Sequence, residues 1–324
     1  MPKQKIGVLL VNLGTPEEPT PGAVRRFLRR FLSDRRVVDA PRLIWLPILY
    51  AIILTFRPKK VARNYQKIWT EQGSPLLVYS KRQRHELQQR LSQDTGHEFM
   101  VELGMTYSQP SIRNSLFELA QWGADKTIVL PLYPQFSNTT TSSVFDQIDK
   151  ANAEQLVDLV KIQDYHKNAL YIQALASSIR KQLKVEEKLI FSFHGVPKRY
   201  VAQGDPYQRQ CEETARLVVQ ALDLDDSRWE MTYQSRVGRE EWLTPYLDQR
   251  LQQLPAEGCK QVRVICPGFS CDCLETLEEI ALQNKALFLE SGGNAFNYIK
   301  ALNADPEHIG MMEALVKEQL LTVD

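Results

Sequence analysis

The chain has 324 residues, of which 43% are hydrophobic and 24% are charged. These proportions are ordinary for a folded globular protein and exclude a disordered or fibrous chain. The length predicts two domains of similar size. The 40 basic residues against 39 acidic residues leave no strong overall field, so we expect no nucleic-acid partner.

The distribution of the cysteines and the N-terminal residues indicate the cellular compartment of the protein. Four of the five cysteines lie between Cys259 and Cys273, whereas a disulfide framework would spread them along the chain. The apolar stretch 6–11 is too short for the hydrophobic region of a signal peptide. We therefore expect a cytoplasmic protein.

Short apolar stretches alternate with longer amphipathic ones along the chain. The clearest predicted strands are residues 6–13, 127–132, 189–193 and 262–266. This alternation predicts a parallel sheet with helices on both faces. Three segments also return in the same order: residues 13–16, 105–107 and 134–137 resemble residues 194–197, 231–233 and 267–270. The repetition indicates two related α/β halves.

The first half carries an insertion. The segment between Gly14 and Met105 is about 55 residues longer than the segment between Gly195 and Met231. The insertion contains the uncharged run 43–56, which falls short of the roughly 18 residues that a membrane-spanning helix needs. Burial in a core is one interpretation of this run, and an apolar lip around a pocket or on a bilayer is the other.

The insertion also contains a predicted amphipathic helix. Its apolar positions 24, 27, 28 and 31 have helical spacing, and arginines occupy the opposite face. This basic face is either an ordinary solvated surface or a surface for an anionic amphiphile or an anionic membrane.

His194 follows the predicted strand 189–193 and precedes a turn that contains Gly195 and Pro197. Ligands of open parallel sheets bind at the carboxyl ends of the strands. An isolated histidine is often a hydrogen-bonded structural group. A neutral imidazole at a strand end can, however, accept a proton near pH 7 or bind a metal. The pattern leaves both interpretations open.

An acidic run lies beyond the strand 262–266. Glu275, Glu278 and Glu279 have the spacing i, i+3, i+4, which on an α-helix places them on one face near the N-terminus. A solvated acidic first turn is one interpretation. Because positions 274, 277 and 280 are apolar, partial burial of these carboxyl groups with raised proton affinity is the alternative.

Other motif tests are negative. The sequence has no G-x-G-x-x-G after a strand, no P-loop, no H-E-x-x-H and no G-x-S-x-G, which argues against dinucleotide, nucleotide, zincin and hydrolase chemistry. The clustered cysteines include no C-x-x-C pair. We interpret them as single buried thiols rather than a zinc or iron–sulfur site.

Several long motifs resemble the ferrochelatases, enzymes that insert Fe²⁺ into a porphyrin at the end of haem synthesis. The most specific are residues 130–137, 192–197, 234–238 with Trp242, and 266–269 leading to 274–279. The resemblance runs from about residue 11 to residue 303. It implies an α/β fold of two Rossmann-like halves, each a parallel sheet flanked by helices, with a porphyrin cleft between them. The implied domains are residues 1–166 with the inserted lip 24–80, residues 167–306, and a C-terminal helix 307–324 that packs back on the first half.

The resemblance assigns roles to four polar residues. It implies that His194 and Glu275 are the catalytic and metal-binding pair, facing each other across the cleft. A free-base porphyrin loses two N–H protons as the metal enters, so the site needs proton acceptors and a ligand that releases Fe²⁺. Glu279, with Asp272 nearby, is implied as a path for protons or metal.

The resemblance also implies the porphyrin contacts. Leu13, Tyr107 and Trp242 are the expected contacts to the macrocycle, whose bending would expose its nitrogen lone pairs. Relatives that metallate coproporphyrin tend to carry Tyr where this chain has Leu13, so Leu13 favours protoporphyrin IX. The run 43–56 then becomes a porphyrin entrance, and its contact with the inner face of the membrane is a further expectation.

No tightly bound cofactor is expected, because Fe²⁺ is a substrate. Some relatives bind a [2Fe–2S] cluster, and residues 271–273 resemble part of one internal cluster pattern. Since the remaining ligands are not evident, we expect no cluster here.

The expected activity is insertion of Fe²⁺ into protoporphyrin IX, a lyase reaction that gives protohaem and releases two protons. A carrier that binds a tetrapyrrole or metal without turnover is the alternative of a different class. A chelatase for cobalt or for coproporphyrin is a third possibility. A carrier would need apolar walls but not two opposed proton acceptors.

Overall fold

The computed structural model describes residues 3–238 and 240–321, and the chain divides into two compact units. The first unit contains the described residues up to Tyr133, then Ser137–Asp164 and the described residues from Ala304 onward. The second unit contains Pro134–Phe136 and Tyr165–Asn303. The sequence placed the corresponding boundaries after residues 166 and 306.

Within the described residues, the first unit is built on a four-stranded parallel sheet in the order β2-β1-β3-β4. Its strands are β1 (Gln4–Asn12), β2 (His97–Met105), β3 (Lys126–Pro131) and β4 (Leu159–Lys161). The central strand β1 is buried from Ile6 to Asn12, as a strand covered by helices on both faces must be. Register pairs Asn12 with Met105, so the residues that follow both strands begin at one edge of the sheet.

Helices cover both faces of this sheet. They are α1 (Pro21–Leu32), α2 (Arg42–Ile48), π1 (Leu49–Ile53), α3 (Leu54–Ile68), α4 (Pro75–Leu91), α5 (Ile112–Trp122), α6 (Thr141–Ala151) and the C-terminal α12 (Pro306–Leu321). Helix α12 contacts α4 and β3 of this same unit, and Arg90 on α4 donates a hydrogen bond to the carbonyl of Pro306 at 2.9 Å.

The predicted amphipathic helix is confirmed as α1. The Thr20 hydroxyl caps its N-terminus by accepting from the Ala23 amide, and Pro21 occupies the first turn, where its missing N–H costs nothing. The apolar positions 24, 27 and 28 are buried against α3 and π1, whereas the arginines at 25, 26, 29 and 30 are exposed.

The uncharged run 43–56 forms α2, π1 and the start of α3. Leu49 and Leu54 are buried, but Leu43 is 93% exposed and Phe56 is 72% exposed. Both interpretations of the run therefore apply to part of it, since one side packs inward and the other presents apolar side chains to solvent. No helix in the described part of the chain is long and apolar enough to span a bilayer.

The second unit repeats the strand order of the first. Its parallel sheet has the order β6-β5-β7-β8, with β5 (Lys188–His194), β6 (Trp229–Gln234), β7 (Gln261–Ile265) and β8 (Ala295–Ile299). Its helices are α7 (Ala169–Arg180), α8 (Lys198–Ala202), α9 (Tyr207–Leu222), a 3₁₀ turn (Asp226–Arg228), α10 (Leu247–Gln253), π2 (Glu275–Asn284) and α11 (Lys285–Glu290). The prediction of two related α/β halves, each a parallel sheet flanked by helices, is confirmed.

A buried ion pair connects Glu187, the residue before β5, to the neighbouring strand β7 of this sheet. Arg263 on β7 donates to both carboxylate oxygens of Glu187, at 2.6 and 2.9 Å, and Asn297 on β8 donates to the same group at 2.7 Å. Burial alone would raise the pKa of Glu187, but the hydrogen bonds from Arg263, the Lys184 amide and Asn297 hold it below its usual value. The pair therefore stabilises the ionised carboxylate in the folded chain.

We expect Glu187→Gln to destabilise the protein by about 3 kcal/mol at pH 7, because it leaves the buried Arg263 without its counter-charge. The stability supplied by a lowered carboxyl pKa is present above the ordinary value of about 4.3 and is lost as the pH falls through the folded value. Urea unfolding at several pH values measures both effects, with the exposed Glu186→Gln as the control. Equal stability of the two variants at pH 7 would contradict this account.

Candidate active site

His194 is the last residue of β5 and lies beside Gln234, the last residue of β6. Gly195 follows, and its amide donates to the Gln234 carbonyl at 2.8 Å. A Cβ at Gly195 would lie 3.0 Å from that carbonyl oxygen and 3.1 Å from the Trp242 ring. Glycine at this position therefore allows the tryptophan to approach the strand end that carries the histidine.

The hydrogen bonding of His194 determines which ring nitrogen is free. Its Nδ1 lies 2.7 Å from the carbonyl oxygen of Gly195. A carbonyl oxygen can only accept, so Nδ1 carries the proton and donates it. In the neutral ring, Nε2 then keeps a lone pair that can accept a proton or bind a metal ion.

Trp242 stands beside this imidazole, with ring centroids 6.4 Å apart and planes inclined by 51°. Its segment is held to the turn after β5 by a hydrogen bond from the Leu243 amide to the Val196 carbonyl at 3.0 Å. The indole N–H is buried and has no hydrogen-bond partner among the described residues. The predicted porphyrin contact Trp242 and the predicted ligand His194 are thus brought together.

The acidic run is a π-helix rather than an α-helix. π2 spans ten residues, Glu275–Asn284, and the Lys285 amide donates to the Ile280 carbonyl five residues back. π-helical segments are rare and are frequent at functional sites. The prediction that all three glutamates share one face is wrong for Glu278, because the widened turn takes it into the interior. There it is 1% exposed and accepts a hydrogen bond from Gln283.

Glu279 lies in the same cluster as His194 and Glu275. Burial raises the pKa of the Glu279 carboxyl above its usual range, and the negative charge of Glu275 acts in the same direction. Hydrogen bonds from Ser235 and the positive charge that His194 can carry oppose this shift. The charges of His194 and Glu275 therefore lie close enough to Glu279 to affect its proton affinity.

Glu275, at the start of π2, is held by two neighbours. The Gln234 side chain donates to its main-chain carbonyl at 3.1 Å. The Cys273 thiol is buried and hydrogen-bonded to its carboxylate, and burial together with the charge of Glu275 raises the pKa of the thiol well above its usual value. A protonated thiol is a weak donor that leaves the carboxylate free for further partners.

Asp272 is bound within a buried polar network. Its carboxylate accepts hydrogen bonds from Asn303 at 2.8 Å and from the Tyr298 hydroxyl at 2.8 Å, and also from Thr276. These contacts connect the start of π2 to β8 and to the segment that follows it. A role for Asp272 in a proton or metal path stays a prediction, and its contacts favour a structural role.

The described residues contain no group of three or more His, Cys, Asp or Glu side chains placed to hold a metal ion. Cys266, Cys271 and Cys273 are buried, and burial raises the thiol pKa of Cys266 and Cys273. The expectation that the chain carries no cluster stays a prediction.

In the first unit, the other two predicted porphyrin contacts lie together. Leu13 follows β1 and Tyr107 follows β2, and the Tyr107 amide donates to the Leu13 carbonyl at 3.0 Å. The Tyr107 hydroxyl donates to Asp34 at 2.7 Å and lies 2.8 Å from the Ser143 hydroxyl. The centroids of the Tyr107 and Phe31 rings are 5.1 Å apart, and burial raises the pKa of the Tyr107 hydroxyl. Leu13 is half-buried.

Sequence reasoning missed the residues that hold these side chains in place. They are Asp34, Ser143, Gln234, Ser235 and Cys273. Gln234 and Ser235 begin the motif 234–238 at the end of β6, to which the sequence analysis assigned no role. Their position at a strand end, two polar residues after an apolar run, is the signal that could have found them.

A cavity of about 560 Å³ opens beside Glu279 in the second unit. Its polar lining includes Ser235, Arg236, Asp248, Gln283 and Glu290. Arg236 and Asp248 form an ion pair at 2.9 Å, and the Arg236 guanidinium lies 4.2 Å from the centroid of the Tyr246 ring. The buried carboxyl group therefore borders a polar space.

Comparison with known proteins gives the same family at several levels. Residues 5–320 match the family model Ferrochelatase. A ferrochelatase of Actinobacillus pleuropneumoniae serotype 3 (strain JL03) is 52% identical over 322 residues, covering 99% of this chain and all of that protein. A ferrochelatase of Vibrio cholerae serotype O1 is 52% identical over 319 residues, covering 97% of this chain and 98% of that protein.

Among solved structures, the sirohydrochlorin chelatase SirB from Bacillus subtilis subspecies spizizenii, in complex with cobalt, is similar with a TM-score of 0.57. It is 10% identical and covers 99% of this chain and 97% of that one, so the likeness concerns the fold alone. The family model and the identities above carry the assignment, and the chain belongs to the ferrochelatase family.

Proposed function

We propose that this protein inserts Fe²⁺ into protoporphyrin IX, yielding protohaem and two protons, with His194 and Glu275 as the residues that act on the metal and the protons. Family membership supports the reaction class. The observation that carries the residue assignment is the electrostatic interaction of Glu279 with His194, at the carboxyl end of β5, and with Glu275, on the same π2 helix. A binding protein has no need of three interacting proton acceptors.

The chemistry follows from charge balance. Two pyrrole N–H bonds break while Fe²⁺ binds to all four ring nitrogens, so two protons must leave the ring as the metal enters it. His194 accepts at Nε2 because Nδ1 is committed to the Gly195 carbonyl. Glu275 supplies a carboxylate oxygen, which with one imidazole makes a weak ligand pair that can pass Fe²⁺ to the ring.

Glu279 is the next acceptor in this account. Its raised pKa lets it take up a proton more readily than an exposed glutamate does. Its position beside the polar cavity provides a place to which that proton can go. Glu279 thus moves protons away from the reacting groups, and Trp242 supplies an aromatic face beside the imidazole.

Leu13 supports protoporphyrin IX as the substrate rather than coproporphyrin, because an apolar side chain offers no hydrogen bond to an additional carboxylate. The test compares kcat/KM for protoporphyrin IX and coproporphyrin III under anaerobic conditions with Fe²⁺. We expect the ratio to favour protoporphyrin IX by at least about ten-fold. A ratio near one, or in favour of coproporphyrin III, would overturn this substrate assignment.

We also propose that the lip formed by the run 43–56 contacts an anionic membrane surface. Its exposed apolar side chains are Leu43, Ile44, Tyr50, Ile52 and Phe56. The exposed arginines of α1 belong to the same insertion, and α1 packs against α3 and π1. Apolar side chains with basic residues nearby are the combination that binds anionic bilayers.

The double variant Leu43→Ser/Phe56→Ser tests this contact. Since each side chain gains about 1.5–3 kcal/mol when it leaves water, we expect binding to phosphatidylglycerol-containing vesicles to weaken by at least about ten-fold. Phe117→Ser, at an exposed phenylalanine on α5, is the matched control. Cosedimentation of the lip variant equal to that of the wild type would refute the contact.

A further inference from the structure

We propose that Ser235 is a positioning residue that fixes the Glu279 carboxylate through two hydrogen bonds, one to each of its oxygens. This inference rests on the proposed role of Glu279 in proton transfer. Ser235 makes its contacts from the first position after β6.

In this contact one residue supplies both donors, one to each carboxylate oxygen. The Ser235 amide donates to Oε1 of Glu279 at 2.8 Å, and the Ser235 hydroxyl donates to Oε2. Because both oxygens are held, the carboxylate plane cannot rotate without breaking a charge-assisted hydrogen bond. Each oxygen still keeps a lone pair on which a proton can be received.

The backbone at Ser235 adopts a conformation that serine rarely takes. Its φ of 66° lies in the left-handed region, which is unfavourable for a residue with a Cβ. Glycine would adopt this conformation more easily, but glycine has no hydroxyl. A serine in this conformation therefore points to a requirement for the side-chain donor.

Gln234, the residue before Ser235, contacts the same helix π2 one turn earlier. Gln234 donates to the main-chain carbonyl of Glu275 at 3.1 Å, and its own side-chain oxygen accepts from Ser192 at 2.7 Å. Two consecutive residues at the end of β6 thus fix two successive turns of π2. The β6 end sets where Glu275 begins the helix and where the Glu279 carboxylate lies.

The consequence is a fixed distance for proton transfer. Glu279 interacts with the charges of His194 and Glu275 on one side and borders the polar cavity on the other. A carboxylate held at both oxygens stays in that place during turnover, since proton transfer needs hydrogen-bond distances. Loss of the hydroxyl releases one oxygen and lets the group rotate.

The experiment measures Fe²⁺ insertion by Ser235→Ala, Ser235→Gly, Glu279→Gln and the double variant Ser235→Ala/Glu279→Gln. We expect kcat to fall about ten-fold in Ser235→Ala, with the KM for protoporphyrin IX changed by less than about two-fold. Ser235→Gly should show the same loss, because it relieves the backbone strain without restoring the donor. The double variant should turn over no more slowly than Glu279→Gln, because Ser235 acts through Glu279.

The matched control is Ser227→Ala. Ser227 also donates through its amide and its hydroxyl to a carboxylate, that of Asp225, but the pair is exposed and lies before β6. We expect Ser227→Ala to retain the wild-type kcat. Comparing kcat of Ser235→Ala with kcat of Ser227→Ala separates the general effect of removing a serine hydroxyl from the specific effect of releasing the Glu279 carboxylate.

Three results would overturn the proposal: a Ser235→Ala rate equal to that of Ser227→Ala, full recovery in Ser235→Gly, or a further loss when Ser235→Ala is added to Glu279→Gln. A wild-type rate in Glu279→Gln would remove the role of Glu279 and the proposal with it, while leaving Fe²⁺ insertion intact. Absence of insertion by the wild type would instead refute the proposed function itself.

Discussion

Replacing Glu275 by Gln is expected to lower Fe²⁺ insertion about 1,000-fold while protoporphyrin IX still binds. The substitution keeps the size of the side chain and the main-chain carbonyl that Gln234 holds, so the start of π2 stays in place. It removes the carboxylate that, in the proposed mechanism, accepts a proton and attracts Fe²⁺, and positioned proton acceptors contribute about 10²- to 10⁴-fold to rates. Anaerobic turnover and porphyrin fluorescence titration measure the two quantities separately.

Glu278→Gln is the matched control for this prediction. It makes the same chemical change on the same helix, three residues further on, at a side chain that faces the interior and pairs with Gln283. We expect its turnover to stay within about two-fold of the wild type, since an amide can still pair with Gln283. Equal losses in Glu275→Gln and Glu278→Gln would contradict the π-helical separation of the two side chains.

The second large effect is expected for His194→Ala, which should also reduce insertion about 1,000-fold. The change removes the Nε2 lone pair at the end of β5. It leaves Gly195 and its approach to Trp242 intact, because that approach depends on the backbone. Added imidazole should enter the space left by the side chain and restore part of the rate, increasingly as the pH rises and more of the imidazole is neutral.

The control is His85→Ala, at an exposed histidine on α4 that is hydrogen-bonded to Gln89. It should retain wild-type turnover. Retention of turnover by His194→Ala would remove the imidazole from the mechanism, and failure of imidazole to restore any activity would argue that the variant has lost the geometry of the strand end.

The central strands could be predicted because strands that are buried on both faces consist mostly of apolar residues. β1, β3, β5 and β7 lie in the interior of their sheets and are largely apolar, although β7 also contains the buried Arg263. The edge strands β2, β4, β6 and β8 are half-exposed in part, and β4 has only three residues, so their patterns are weak. The repeated motifs at strand ends nevertheless indicated two halves, which share the same strand order.

The site was predictable in its positions but not in its details. The place of His194 could be predicted because a strand end followed by a glycine turn can be recognised in the sequence, whereas Trp242, which lies beside it, was named only from the family resemblance. The π-helix was not, since an α-helix and a π-helix of the same residues differ by a shift of one residue in the hydrogen-bond ladder. That shift removes Glu278 from the predicted face.

The roles of Gln234 and Ser235 depend on long-range contacts. Gln234 bonds a carbonyl 41 residues away, and Ser235 bonds a carboxylate 44 residues away. No local pattern records such pairs. The run 43–56 shows a similar limit of sequence analysis. Its composition identifies it as apolar, but does not indicate which of its side chains are exposed.

The most direct measurement of the central claim is anaerobic reaction of the wild-type protein with Fe²⁺ and protoporphyrin IX in a weakly buffered solution containing a pH indicator. Catalytic loss of free-porphyrin fluorescence over many turnovers, with two protons released for each porphyrin consumed, is the result that the account predicts. Stoichiometric binding of the porphyrin, with its fluorescence retained and no protons released, would contradict it and leave a tetrapyrrole carrier.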